Sequence, residues 1–243
     1  LDFEHVARLR PSRLRELDEA ANAFNRMTTG LHWFETYVPQ QLVRRLMARE
    51  TPVESEHRAI TVMFTDIAGF ATLSEHMPAT ETAAMLNEHF AILVDCIEAE
   101  GGIVDKYIGD SVMAFWEPDD TGVNVDRAIR AARRIRQRIS EDNTARRREG
   151  RVAPCVRIGL HTGDAIVGNI GAPGRINYTL VGDAVNVAAR LEQLSKTVGP
   201  ESDAKILISD ATAALAKDRD GLVHAGTHEI RGRDGSLDIW TLA

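Results

Sequence analysis

An α+β fold is what this sequence predicts, on three observations. Short runs rich in β-branched and aromatic residues recur along the chain, bounded by Gly, Asp or Asn. Between them lie stretches with apolar residues at the helical period. The two kinds follow as strand, two helices, hairpin, helix and further hairpins, an order that fits helices segregated on one side of a mostly antiparallel sheet.

Residues 1–48 read as helical and separate from the rest. Leu14, Leu17, Ala21 and Phe24, then Met27 and Leu31, recur near the helical period, with Glu16, Asp18 and Glu19 on the other side. A second helical piece follows Pro39, carrying Leu42, Val43 and Leu46. Two readings stay open: a helical arm packed on the domain, or a parallel coiled coil that transmits a signal. Arg44, Arg45 and Arg49 read as a solvated face.

After a polar connection over Thr51–His57, the run Ile60–Phe70 reads as a buried strand turning directly into a helix. Ile60, Val62 and Phe64 alternate with Thr61 and Met63. Asp66 stands at the strand's end, and Gly69 sits where a backbone must approach something closely. Ala71–His76 reads as a short helix and Thr80–Glu100 as a longer one, stopped by Gly101-Gly102. Ile103–Phe115 forms a hairpin about Gly109-Asp110. Thr121–Arg148 is a helix with an Arg-rich outer face. Pro154–Thr162 is read as a strand that turns at Gly163-Asp164 into a second arm, Ala165–Ile170, with a loop over Gly171–Arg175. Asp183 caps a helix running to about Lys196, its inner face made by Val185, Val187, Ala188 and Leu191. A buried strand, Lys205–Ser209, a short helix, Asp210–Lys217, and an antiparallel pair, Leu222–Ile230 with Leu237–Leu242, complete the chain. The core is therefore expected to be ferredoxin-like, βαββαβ, behind an N-terminal helical segment, with the domain boundary between 48 and 49.

Composition narrows the function. A length of 243 residues accommodates one sizeable domain and an appendage. The net charge of −7 argues against nucleic acid as the main partner, so a bound polyphosphate would need local cations. Cys96 and Cys155 do not read as a disulfide framework, which fits a reducing compartment. No apolar run approaches the ~20 residues needed to span a bilayer, and no stretch of this sequence reads as a signal peptide. The chain starts at Leu1 without Met, and is read as a fragment whose membrane anchor lies upstream.

Asp66 and Asp110 each follow a strand that fits a central position. If those strands are neighbours, the carboxylates converge and suit Mg²⁺, which prefers hard oxygen ligands and keeps few from protein. Taken singly, each has a plainer reading, a helix cap for Asp66 and a turn residue for Asp110. Lys106 and Arg157 lie on strands, where such residues usually face solvent. Asn186 and Arg190 share one helix face at i, i+4, either solvated or aimed into a cleft.

Four stretches in register, VMFTDIAGF, KYIGDSVMAFW, VRIGLHTGDAIVGNIG and YTLVGDAVNVAARLE, closely resemble the catalytic domain of the class III nucleotidyl cyclases. The resemblance covers about Glu56 to Ala243. More loosely, LDEAANAFNRM resembles the tail of a HAMP domain, and FETYVPQQLVRRLM the linker helix that precedes such catalytic domains. The resemblance implies that Asp66, Asp110 and the carbonyl of Ile67 bind two divalent cations, Mg²⁺ or Mn²⁺. It implies that the turn Ile67–Ala71, including Gly69 and Phe70, wraps the triphosphate with its amides, although Ala71 stands where the family often has Thr. Lys106 would read adenine with Thr179 as its partner, a pair that favours ATP over GTP. Asn186 would position the ribose, Arg190 would stabilise the transition state, and Arg157 and Arg231 would hold the terminal phosphates. His161 is read as structural. The implied reaction is conversion of ATP to 3′,5′-cyclic AMP and pyrophosphate. The metal aspartates would come from one subunit of a head-to-tail homodimer and the base-reading pair, Asn186 and Arg190 from the other. The catalytic part is expected in the cytoplasm, below a membrane anchor. The alternatives are a guanylyl cyclase and a non-catalytic nucleotide-binding domain.

Overall fold

The structure, a computed structural model, describes residues 8–37, 55–118, 124–172, 175–230 and 235–242. The chain divides into two units, Leu1–Val53 and Glu54–Ala243. In the first, helix α1 (Arg15–Tyr37) is preceded by an irregular stretch held by side-chain bonds. The Asn25 amide accepts from the Leu9 N–H and donates to the Leu9 carbonyl, both at 2.9 Å. Asp18 accepts from the Ser12 N–H at 3.0 Å. Ala21 is buried while Leu14, Leu17 and Met27 are exposed. The helical piece expected around Leu42 lies outside the described residues.

The second unit runs β1 (Glu56–Ile67), α2 (Phe70–Glu75), α3 (Ala79–Ala99), β2 (Ile103–Ile108), β3 (Ser111–Trp116), α4 (Val125–Arg148), β4 (Val156–Ala172), β5 (Arg175–Val181), α5 (Asp183–Leu194), β6 (Ala204–Ser209), α6 (Asp210–Leu215), β7 (Leu222–Glu229) and β8 (Ser236–Leu242). The sheet order is β2-β3-β1-β4-β6-β8-β7, with β5 paired to β4. The first four strands, β2-β3-β1-β4, pair antiparallel throughout, as the ferredoxin-like core requires. Strand β6 extends the sheet parallel to β4.

Two expectations need correction. No hairpin forms at Gly163-Asp164, because β4 is one strand of 17 residues. Gly163 and Asp164 pair with Ile60 and Ala59 of β1 in unbroken register, and Gly163 does not take the positive φ that a tight hairpin asks for. A neighbouring strand that satisfies their backbone groups removes the reason to turn. The reversal comes later, with Ala172 of β4 opposite Arg175 of β5, a strand that begins at the end of the stretch expected as a loop, Gly171–Arg175.

The helices, moreover, occupy both faces of the sheet. Met63 of β1 and Ile158 and Leu160 of β4 pack with Leu93 and Ile97 of α3 and Ile129 and Ile135 of α4. Ile60 and Val62, pointing the other way, pack with Ala184 and Ala188 of α5. Covering both faces buries Thr61 and Met63 as fully as Ile60 and Val62. Gly159 makes the second face possible: a Cβ there would stand 2.2 Å from the Ala188 carbonyl oxygen and 2.4 Å from the Glu192 nitrogen, so the α5 backbone rests directly on β4. Among the described residues, no helix is long and apolar enough to cross a membrane.

Candidate active site

Strand β1 carries Asp66 to one end of the sheet, opposite Arg157 of β4. The Arg157 Nη2 donates to both oxygens of the Asp66 carboxylate at 2.7 Å. The turn between β2 and β3, opened by Gly109 at φ 65°, brings Asp110 to the same end. There its Oδ2 accepts from the Ile67 N–H at 3.0 Å. Burial pushes the Asp110 carboxyl up from the usual range; the Ile67 N–H and Arg157 pull it down, and the neighbouring Asp66 charge raises it further. The two carboxylates read as separate motifs thus share one electrostatic site.

A third carboxylate enters from α5. Glu192 Oε1 lies 3.2 Å from Arg157 Nε, with the N–H not aimed at the oxygen, so the contact is one of charge rather than a formed hydrogen bond. Burial, followed by the Asp66 charge, raises Glu192 to about 7. Glu192 is not among the residues expected in the site from sequence. Its signal was position: it lies four residues after Ala188, on the inner face of the helix, where an ionisable residue needs a partner.

The donor set fits a divalent cation. Two carboxylates at adjoining strand ends offer hard oxygens, and the Arg157 guanidinium bonded to Asp66 marks where positive charge is called for. Among the described residues no three of His, Cys, Asp and Glu converge as a metal cage. A cation here would complete its shell with water and substrate oxygens, as Mg²⁺ commonly does.

The turn after β1 holds Gly69 at φ 70° as the N-cap of α2, with Phe70 as the first helical residue. The Ile67 N–H is engaged by Asp110, and the Ala68 N–H donates to the Cys155 carbonyl at 2.8 Å. That narrows the expected phosphate-facing turn to the residues from Gly69 onward.

Lys106 and Thr179, far apart in sequence, meet at a common acceptor. The Thr179 hydroxyl donates to Asp105 Oδ2 at 2.8 Å, and Lys106 Nζ lies 3.2 Å from the same oxygen. Burial raises the Asp105 carboxyl, opposed by the Thr179 bond and then by Lys106. Asn186 and Arg190 sit one turn apart on α5, the first exposed and the second half-buried. Arg231 lies outside the described residues. His161 hydrogen-bonds Ser209 Oγ at 2.8 Å, within a buried hydroxyl chain through Thr212, Thr162 and Thr61.

An antiparallel βαββαβ sheet with paired carboxylates at one strand end is the frame of the nucleotidyl cyclase class. Residues 53–243 match the family model of the adenylate and guanylate cyclase catalytic domain, and the chain belongs to that family. It is 36% identical over 238 residues to adenylate cyclase 1 of Rhizobium meliloti, covering 94% of this chain and 34% of that protein. The chain thus spans about a third of the length of this curated relative. Among solved structures, the adenylyl cyclase CyaB from P. aeruginosa superposes with a TM-score of 0.70 at 30% identity, covering 79% of this chain and 96% of the other. The guanylyl cyclase Cya2 superposes with a TM-score of 0.68 at 28% identity, covering 79% and 94%. The frame is thus shared with an adenylyl cyclase and with a guanylyl cyclase.

Proposed function

We propose that this chain carries the catalytic domain of an adenylyl cyclase, which converts ATP to 3′,5′-cyclic AMP and pyrophosphate at sites shared between two copies. The observation that carries the base assignment is the meeting of Lys106 and Thr179 at one carboxylate oxygen of the same chain. A lysine is a pure donor, matching adenine N1, and a hydroxyl beside it can answer the exocyclic amine as acceptor.

Asp66, Asp110 and the Ile67 carbonyl would hold two divalent cations, Mg²⁺ or Mn²⁺, which supply acidity to the attacking hydroxyl and charge to the leaving group when bound. In the reaction, the ribose 3′-oxygen bonds to the α-phosphorus as the bond to the bridging β-phosphate oxygen breaks, and the hydroxyl proton leaves to solvent. Asn186 orients the ribose. Arg190 faces the charge that develops at phosphorus, a role worth several kcal/mol in comparable sites, on the order of 3. Gly69 and Phe70 bring backbone N–H groups toward the triphosphate. Arg157 and Arg231 neutralise its terminal phosphates, Arg157 turning from Asp66 while Glu192 stays beside it as a counter-charge.

A homodimer is supported by exposed apolar side chains on the two strands that carry the base-reading pair, Tyr107 and Ile108 on β2 and Ile176 and Val181 on β5, and by Ile166 on β4, opposite Val181. Clustered apolar exposure of this kind commonly marks an interface. Residues 1–48 are read as a HAMP remnant and linker that transmits a signal to the domain, with an anchor in the cell membrane upstream of Leu1 and the catalytic unit in the cytoplasm.

The test is turnover of ATP and GTP across a range of protein concentrations with Mg²⁺ or Mn²⁺. ATP use that rises more steeply than linearly with protein is expected. Equal or better use of GTP would overturn the base assignment, and strict linearity down to concentrations where the protein is monomeric would overturn the shared site.

A further inference from the structure

We propose that Asp105 determines which purine the site accepts, by fixing the direction of the Thr179 hydrogen bond. The inference rests on the reading of Lys106 and Thr179 as the base-contacting pair, and deepens it.

Local structure places Asp105 for this task. The pairing of β2 with β3 shifts register between Val104, opposite Ala114, and Lys106, opposite Met113. Asp105 is therefore the extra residue of a bulge. In a regular strand, successive side chains point to opposite faces. A bulge re-aims them, and here Asp105 Oδ2 lies within 3.2 Å of Lys106 Nζ and 2.8 Å of Thr179 Oγ1. The Asp105 side chain is only 2% exposed, against 39% for Lys106, so the carboxylate stands behind the two groups and the lysine stands in front.

Hydrogen-bond polarity follows. A threonine hydroxyl has one proton and two lone pairs. With its proton given to Asp105, Thr179 is left only as an acceptor. Lys106 is only a donor. Side by side they present donor and acceptor, the complement of adenine's N1 and 6-amino group. Hypoxanthine and guanine, in the same pose, present N1–H and O6, and both contacts become repulsive. Without the carboxylate, the hydroxyl rotates and donates to O6.

The experiment compares kcat/KM for ATP and inosine triphosphate, which differ only along this edge of the base. Wild type is expected to favour ATP. Asp105→Ala is expected to narrow the ratio by about tenfold or more, the scale of one hydrogen bond set wrongly. Thr179→Val should narrow it as well, and Asp105→Ala added to Thr179→Val should change it no further. Asp105→Asn, which keeps the volume and one acceptor oxygen, should fall between wild type and Asp105→Ala, and it decides the matter if the alanine variant does not fold. An unchanged ratio with both rates lowered, or independent effects of the two substitutions, would overturn the proposal. Dissociation constants for the 3′-deoxy forms of both nucleotides, which cannot cyclise, read the discrimination in binding alone, without turnover, and should shift in the same direction. Discrimination in binding with no cyclisation by wild type would sink the cyclase reading and leave the role of Asp105 standing.

Discussion

His89 makes the stability of the catalytic unit depend on pH. It lies on α3, 2% exposed, and among the described residues neither ring nitrogen has a hydrogen-bond partner. Its ring sits 6.0 Å from that of Phe90. Burial, then the Arg146 charge, lowers its pKa from 6.5 to about 4, with Asp142 opposing. Arg146 is itself held by Asp142 and, at 2.7 Å, by Glu88, so the cationic side of this cluster is fixed in place. Because the folded pKa lies below the unfolded one, the unfolded chain binds more protons between these values. Stability is therefore undiminished above pH 6.5, falls as pH drops through the window, and is fully reduced below about 4. At ~1.36 kcal/mol per pKa unit the total is about 3 kcal/mol, of which roughly 2.5 is lost by pH 4.5. Urea unfolding from pH 7.5 to 4.5 should show the wild type losing about 2 to 3 kcal/mol more than His89→Leu, which removes both unpaired nitrogens at similar volume. The comparison cancels the other titrating groups, which both proteins share. Curves that run parallel across the window would refute the assignment of a neutral, buried imidazole.

Gly159→Ala should destabilise the unit by about 3 kcal/mol or more, because neither the Ala188 carbonyl nor the Glu192 nitrogen is a flexible end that can yield; chemical denaturation measures it. Asp66→Asn and Arg190→Ala should each lower turnover by roughly a hundredfold or more in an ATP conversion assay. Mixing Asp66→Ala with Arg190→Ala chains should restore about one working site per mixed dimer, and no recovery would count against sites shared between copies. Removing divalent cations with a chelator should abolish turnover while leaving the melting temperature within a few degrees, since the core is built from apolar packing around both sheet faces and not around the carboxylates.

Much of the fold was legible because its signals are local. The alternation of Ile60 to Phe64 marked β1, the glycine pair after Glu100 marked the end of α3, and Gly109 marked the β2–β3 turn. Strand β4 was misread because Gly163-Asp164 has the local chemistry of a turn, and only its pairing with β1, a hundred residues away, overrides that. The placement of α5 on the opposite face was hidden for a similar reason. Its cause is a glycine in β4 whose missing side chain has meaning only against a helix later in the chain. In the site, Asp66 and Asp110 could be paired from the order of strands and the family motifs. Asp105 and Glu192 were overlooked as partners because each works through contacts distant in sequence, Asp105 with Thr179 and Glu192 with Arg157.

The contact at Gly159 also acts as a gauge. Asn186, Arg190 and Glu192 all ride on α5, and the height of that helix above the sheet is set where its backbone meets a residue with only hydrogen for a side chain. A single added methyl would lift the three side chains together, so their height over the sheet is stored in the packing of the core rather than in the side chains themselves.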